Sequence, residues 1–239
     1  MLFYNSKKYC GKQYGEYTII KSVGQGRYGM CFLAHSVVGT PVIIKRFKPS
    51  PFKKNKEKNA YEAIILSQLK HDSIPELLGV INQKGFYGFV LELKPGRTVK
   101  ELLFKANHKF TKEEFFNIGS QLIIIIKYLH GKGVVHRDIR IPNVLIDRGQ
   151  VYLVDFGLSR WADNNDYSYD LDFSYLGDFL LYLLYSSFEK KEKHKKLPWY
   201  EELALTSEER LFLKKLLRLE LAFENIVDIE AAFIKTFMV

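Results

Sequence analysis

The chain has 239 residues, of which 36 are Lys or Arg and 27 are Asp or Glu, giving a formal net charge of +9. Hydrophobic residues make up 47% and charged residues 26%, ordinary globular usage that excludes a disordered, collagen-like or low-complexity protein; at this length roughly 70–75% of the unfolded surface can be buried without staples. The only cysteines, Cys10 and Cys31, are too few for a disulfide framework or a structural zinc site and point to a reducing, cytoplasmic setting, while the basic balance favours anionic partners: nucleotides, nucleic acid, phospholipid or acidic protein.

Taken in chain order, the first residues carry no apolar signal region followed by a small-residue cleavage site. Short β-rich runs then dominate, at 17–23, 30–38, 42–47, 80–82 and 88–93, each bounded by turn residues such as Gly39, Pro41 and Gly85. One helix interrupts them over 58–69, with Tyr61, Ile64, Ile65, Leu66 and Leu69 at helical spacing. After Lys94, Pro95 and Gly96 the texture turns helical. Thr111 and Glu114 form a capping-box pattern that opens a long helix to His130, stopped by Gly131 and Gly133. Two short strands follow at 144–146 and 150–154, then a helix over 173–186. After a second capping box at Thr206 and Glu209, amphipathic segments run to the end. The longest apolar stretches, 122–126 and 179–185, fall far short of the ~20 residues of a membrane span. The expected fold is α+β: a small β-rich lobe over 1–93 and a larger helical lobe over 94–239, joined by a single crossing that creates a cleft for a ligand.

Four motifs carry chemistry. Gly24, Gly26 and Gly29 make a G-x-G-x-x-G, weak by itself. A dinucleotide fold needs a helix after it and an acid about 20 residues on. Here a strand follows and no acid comes until Glu57, so a hairpin whose backbone N–H groups close over phosphates fits better. Lys45 ends the apolar strand Val42-Ile43-Ile44; an isolated lysine in such a place is ordinarily a surface residue. His136-Arg137-Asp138-Ile139-Arg140-Ile141-Pro142-Asn143 is far more specific, packing a carboxylate, cations and an amide into one loop. Asp155-Phe156-Gly157 follows a short hairpin.

This ordered set resembles a small protein kinase of the eukaryotic, Hanks type over roughly residues 17–186. The resemblance implies a bilobal kinase fold and assigns roles. Gly24, Gly26 and Gly29 cover the phosphates of ATP, Lys45 holds the α- and β-phosphates, and Glu62 pairs with Lys45. Asp138 accepts the proton of the substrate hydroxyl, and Asn143 and Asp155 hold Mg²⁺. It further implies an adenine pocket with Val23 and Cys31 in the roof, Leu145 in the floor and Leu91 at the back. Glu92 and Lys94 offer backbone groups to the adenine edge. Leu66, Leu77, His136 and Phe156 align with an apolar column of structural character.

Departures from the family pattern qualify the substrate. Ile43 replaces the usual alanine above adenine. Arg140 stands where serine/threonine kinases carry lysine and some tyrosine kinases arginine; its guanidinium is a planar, bidentate cation. No Ala-Pro-Glu follows Asp155-Phe156-Gly157, and Asp172 already resembles the start of the next helix. The glutamate of that tripeptide and its arginine partner near the last helices both look absent, which puts the peptide-docking platform in question. The acids Asp163, Asp166 and Asp170 are expected to neutralise Arg137 in the shortened activation segment. The basic runs around Arg46, Lys48, Lys53, Lys54, Lys56 and Lys58 and over 189–196 read as solvated loops, with docking of an acidic partner as the alternative. His71, His108, His130 and His194 show no metal-ligand spacing and receive no role. The reading is an ATP- and Mg²⁺-dependent kinase acting on a protein Ser/Thr hydroxyl. The alternatives are a small-molecule or lipid kinase and a pseudokinase scaffold; a nucleic-acid module rests on charge alone.

Overall fold

In the computed structural model, the described residues are 6–25, 29–47, 56–83, 85–163, 166–189 and 197–238. They fall into two units, Met1–Lys94 and Pro95–Val239. The first is built on a six-stranded antiparallel sheet: β1 (Gln13–Tyr14), β2 (Tyr17–Gln25), β3 (Gly29–Ser36), β4 (Pro41–Phe47), β5 (Leu77–Gln83) and β6 (Phe86–Glu92), in the order β1-β2-β3-β4-β6-β5. Helix α1 (Lys56–Gln68) joins β4 to β5. The alternation of β4 sorts its side chains: Val42 and Ile44 enter an apolar cluster with Ile19, Met30, Phe32, Phe86 and Val90, while Ile43 and Lys45 point to the opposite face.

That cluster is sealed by a segment the sequence did not mark. A 3₁₀ turn at Ser6–Tyr9 lays Tyr9 edge-on to Phe32 and Phe86, at 5.5 and 6.0 Å between ring centres, and Tyr14 stacks on Phe86 at 3.9 Å. Arg46 follows Val42 and Ile44 onto this face. Only 5% exposed, its guanidinium sits 4.6 Å from the Tyr9 ring centre and 5.2 Å from that of Phe86. Arg46 is therefore not part of a solvated basic loop: strand alternation directs it inward, and cation–π contact with two rings makes its burial tolerable. Lys48, Lys53 and Lys54 of that run lie outside the described residues, as does 190–196 of the second.

The second unit is mainly helical: α2 (Val99–Phe104), α3 (Lys112–Gly131), α4 (Asp170–Tyr185), α5 (Trp199–Glu202), α6 (Ser207–Leu216) and α7 (Ile226–Phe237), with short strands β7 (Arg97–Thr98), β8 (Val134–Val135), β9 (Val144–Asp147), β10 (Gln150–Leu153) and β11 (Arg160–Trp161). Thr98, Thr111 and Thr206 each close a reciprocal capping box on the glutamate three residues on, which satisfies backbone donors that a helix start otherwise leaves open. Helix α3 is the axis. Its residues Leu122, Ile126 and Leu129 are fully buried, and it meets α7 so closely that a Cβ at Gly119 would stand 2.3 Å from Phe233 Cζ. The sheet-bearing first unit and the helical second unit make the architecture α+β and kinase-like. No helix among the described residues is long and apolar enough to cross a membrane.

Candidate active site

In the first unit the predicted nucleotide residues line adjacent strands in register. Gly24 of β2 lies opposite Cys31 of β3, and Cys31 lies opposite Lys45 of β4. Gly26 is outside the described residues. Gly29 has a local reason to be glycine: a Cβ there would stand 2.4 Å from the Arg46 carbonyl oxygen, so β3 and β4 approach too closely for any side chain. Val23 is half exposed, Ile43 is flanked by Leu33 and Leu91, and Leu91 is buried.

Lys45 is not a surface lysine. Its Nζ donates to both carboxylate oxygens of Glu62, at 2.6 and 2.9 Å, and Glu62 is only 2% exposed. The helix explains that burial: Ile65 and Leu66, three and four residues on, are buried on the same face of α1, so the apolar contacts that dock the helix carry the carboxylate inward. A buried pair of this kind has little net worth against an apolar substitute but is costly to break. Beyond β6, the Lys94 ammonium donates to Glu92 Oε1 at 2.7 Å, while the Glu92 N–H donates to the Glu76 carbonyl at 2.9 Å. That N–H is thus engaged within the unit.

In the second unit β8 delivers the chain into the loop from His136 to Asn143. Asp138 is 6% exposed, and its Oδ2 accepts from Asn143 Nδ2 at 2.7 Å; the same nitrogen donates to the Asp138 carbonyl at 2.9 Å. Arg140 Nε pairs with the other oxygen, Oδ1. That hydrogen bond raises the Arg140 pKa further, so the cation stays charged on a side chain that is about half exposed. Because the amide nitrogen of Asn143 is committed to Asp138, its amide oxygen is the end presented away from that contact. Asp155 ends the run after β10 with φ +66°, and its exposed carboxylate accepts from the Gly157 N–H at 3.4 Å. An amide oxygen and a carboxylate are hard donors suited to Mg²⁺. Leu145 is paired in β9 between Thr98 and Tyr152.

What shapes this loop was not legible beforehand. Asp172, in the first turn of α4, has no exposed surface. Its carboxylate accepts from the backbone N–H of His136 at 2.9 Å and of Arg137 at 2.7 Å, and lies 3.0 Å from His130 Nε2. Charge-assisted bonds to backbone donors are among the strongest available, and here they hold Arg137 at φ +66°. His130, assigned no role from spacing, therefore belongs to the scaffold of the loop. His136 is wholly buried against Phe156, ring centres 4.7 Å apart, and burial pushes its pKa down; it is an apolar wedge with no acid–base task. One turn along α4 from Asp172, Tyr175 brings its phenol within electrostatic reach of Arg140.

Two expectations about the shortened segment are corrected. Among the described residues no carboxylate meets the Arg137 side chain: it donates to the Leu158 carbonyl at 3.1 Å and lies over the Tyr167 ring at 4.5 Å. The acids are drawn elsewhere, Asp163 by the backbone N–H groups of Asp166 and Tyr167 and Asp170 by Arg218. The ion pair of the Ala-Pro-Glu glutamate has no counterpart, since that tripeptide is absent, but Arg218, in the stretch that looked empty of a partner arginine, pairs with another acid, Asp170.

A sheet-bearing unit with a lysine–glutamate pair, followed by a helical unit with a buried, oriented aspartate, defines a phosphotransferase of the kinase class. Residues 17–180 match the protein kinase domain family. The chain is 35% identical over 222 residues to a probable serine/threonine-protein kinase, YbdM, of Bacillus subtilis, covering 90% of this chain and 86% of that one. It is 32% identical over 166 residues to the hormonally up-regulated neu tumor-associated kinase homolog A of Xenopus laevis, covering 66% of this chain but 23% of the relative. Against mouse ribosomal protein S6 kinase alpha-2 the figure is 29% over 157 residues, 63% of this chain and 21% of the relative. The chain belongs to the protein kinase family, of the Hanks type, and is an ATP-dependent phosphotransferase.

Proposed function

We propose that the chain transfers the γ-phosphoryl group of ATP to a serine or threonine hydroxyl of a protein, with Mg²⁺ held by Asn143 and Asp155. The observation that carries this reading is the orientation of Asp138, buried, braced on one oxygen by Asn143 and paired on the other with the half-exposed cation of Arg140. Arg140 shields Oδ1 until a phosphate draws its guanidinium away. Oδ1 then accepts the proton of the acceptor hydroxyl as that oxygen attacks the γ-phosphorus; the bond from phosphorus to the bridging oxygen breaks and ADP leaves. Lys45, steadied by Glu62, offsets charge on the α- and β-phosphates, and the glycines at 24, 26 and 29 let the backbone approach them closely. The metal supplies further positive charge to the phosphate oxygens. The wide overlap with a probable serine/threonine-protein kinase favours a protein acceptor.

A second reading, a small-molecule acceptor, is favoured by one observation: α4 begins at Asp170, so only 156–169 separates it from Asp155, leaving little chain for a peptide platform. Intact mass before and after incubation with Mg-ATP, alone and with a generic protein acceptor, tests both. Stepwise gain of phosphoryl mass, reduced about 10²–10⁴-fold in Asp138→Asn as for loss of a general base, supports the protein kinase. ATP consumption without any mass gain on protein points to a small acceptor, and neither outcome to a scaffold.

A further inference from the structure

Arg137 ties three stretches of chain together. Its backbone N–H is fixed by Asp172 of α4, its guanidinium donates to the carbonyl of Leu158, three residues past Asp155, and its outer face is covered by the ring of Tyr167. The segment between is anchored stepwise. Arg160 and Trp161 pair with Val135 and Val134, the Ala162 N–H donates to the Gly133 carbonyl at 2.8 Å, and the Asp163 carboxylate closes a turn on the N–H of Tyr167 at 2.9 Å. Tyr167 is thus the contact of this segment that covers the charge, and Tyr169, on His130, follows it just before α4 begins.

Besides Tyr167, the hydroxyls of this segment are engaged within the unit. Ser159 is fully buried and donates to the His136 carbonyl at 3.3 Å. Ser168 donates to Asp170, so a phosphate there would set like charges together. Tyr169 donates to the His130 carbonyl at 3.2 Å. We propose that Tyr167 is a positioning residue whose ring, laid on the Arg137 guanidinium, keeps the segment after Asp155 ordered, so that transfer requires no phosphate on it. The Leu158 carbonyl holds one edge of the guanidinium, and the aromatic face of Tyr167 attracts its plane without a titrating or enzyme-added charge. The inference rests on the kinase reading above.

The test uses the full chain, phosphatase-treated and shown by intact mass to carry no phosphate. Hydrogen exchange over 158–169 is followed together with the initial rate of transfer. Tyr167→Phe keeps the ring and is expected to match wild type in both. Tyr167→Leu is expected to speed exchange in this segment roughly tenfold, the scale of one partly buried cation–π contact, and to lower kcat by a similar factor. The KM for ATP and the Mg-ATP-induced rise in melting temperature should stay unchanged, which separates misplacement from misfolding. Unchanged exchange and rate in Tyr167→Leu would overturn the proposal. So would a lag in the unphosphorylated wild type that preincubation with Mg-ATP removes. If the wild type transfers nothing, the functional reading has failed, and the exchange comparison still decides the role of Tyr167.

Discussion

In the first unit Glu62 reaches Lys45 side chain to side chain, between residues 17 apart, and the helix that carries it is docked by Ile65 and Leu66. In the second, Asp172 reaches 36 residues back to backbone N–H groups of the loop itself. Both carboxylates are buried and both serve a functional residue. They differ in what they grip: one holds the end of a flexible side chain, the other the peptide plane. A side chain held at its tip can be released and regained when a helix shifts. A loop held by its backbone has no such freedom without unfolding locally. The structure thus combines a side-chain grip on Lys45 with a backbone grip on the loop that carries Asp138.

The sharpest way to break this comparison is Asp172→Ala. It leaves the buried donors of His136 and Arg137 unsatisfied, at about 1–3 kcal/mol each, so a loss of about 2–6 kcal/mol is expected in denaturant unfolding of the second unit, with transfer abolished. A smaller loss than that of the next variant would refute the distinction. Glu62→Gln keeps the shape and one acceptor but removes the charge opposite Lys45. A cost of about 1–3 kcal/mol confined to the first unit is expected, with a fall in kcat/KM for ATP and an unchanged transition for the second unit. Arg218→Ala should do least. Its pair with Asp170 is nearly half exposed, so about 0–1 kcal/mol is expected, vanishing at high salt; a larger cost would make that pair a true replacement for the ion pair that larger kinases place there.

The elements with a short-range signature were legible. Strand alternation and turn residues outlined β2 to β6, and the capping boxes at Thr111 and Thr206 marked the starts of α3 and α6 within a residue. The motif residues announced themselves because their chemistry is dense in sequence. What escaped notice has partners far along the chain. Tyr9 has nothing in its neighbourhood to indicate that Phe32 and Phe86 await it, and the alternation that buries Arg46 is indistinguishable from one that exposes it until the cover is known. Asp172 looks like any acid in a first helical turn; its role depends on donors that exist only once β8 has brought the loop alongside. Arg218 carries no local sign of its role, because the acid it meets, Asp170, belongs to no Ala-Pro-Glu and lies 48 residues away.

The contact at Gly119 also sets a clock. Lys127 of α3 and Glu230 of α7, which pair at 2.6 Å, are 103 residues apart, and the same two helices meet at Gly119 and Phe233. At translation rates of about 5–20 residues per second, α3 emerges roughly 5–20 s before its partner. Throughout that interval Phe115, which packs on Phe233 and Phe237 in the finished structure, is without its cover. Within the second unit, α3 is therefore an apolar surface open to a chaperone, or to another nascent chain, for that interval.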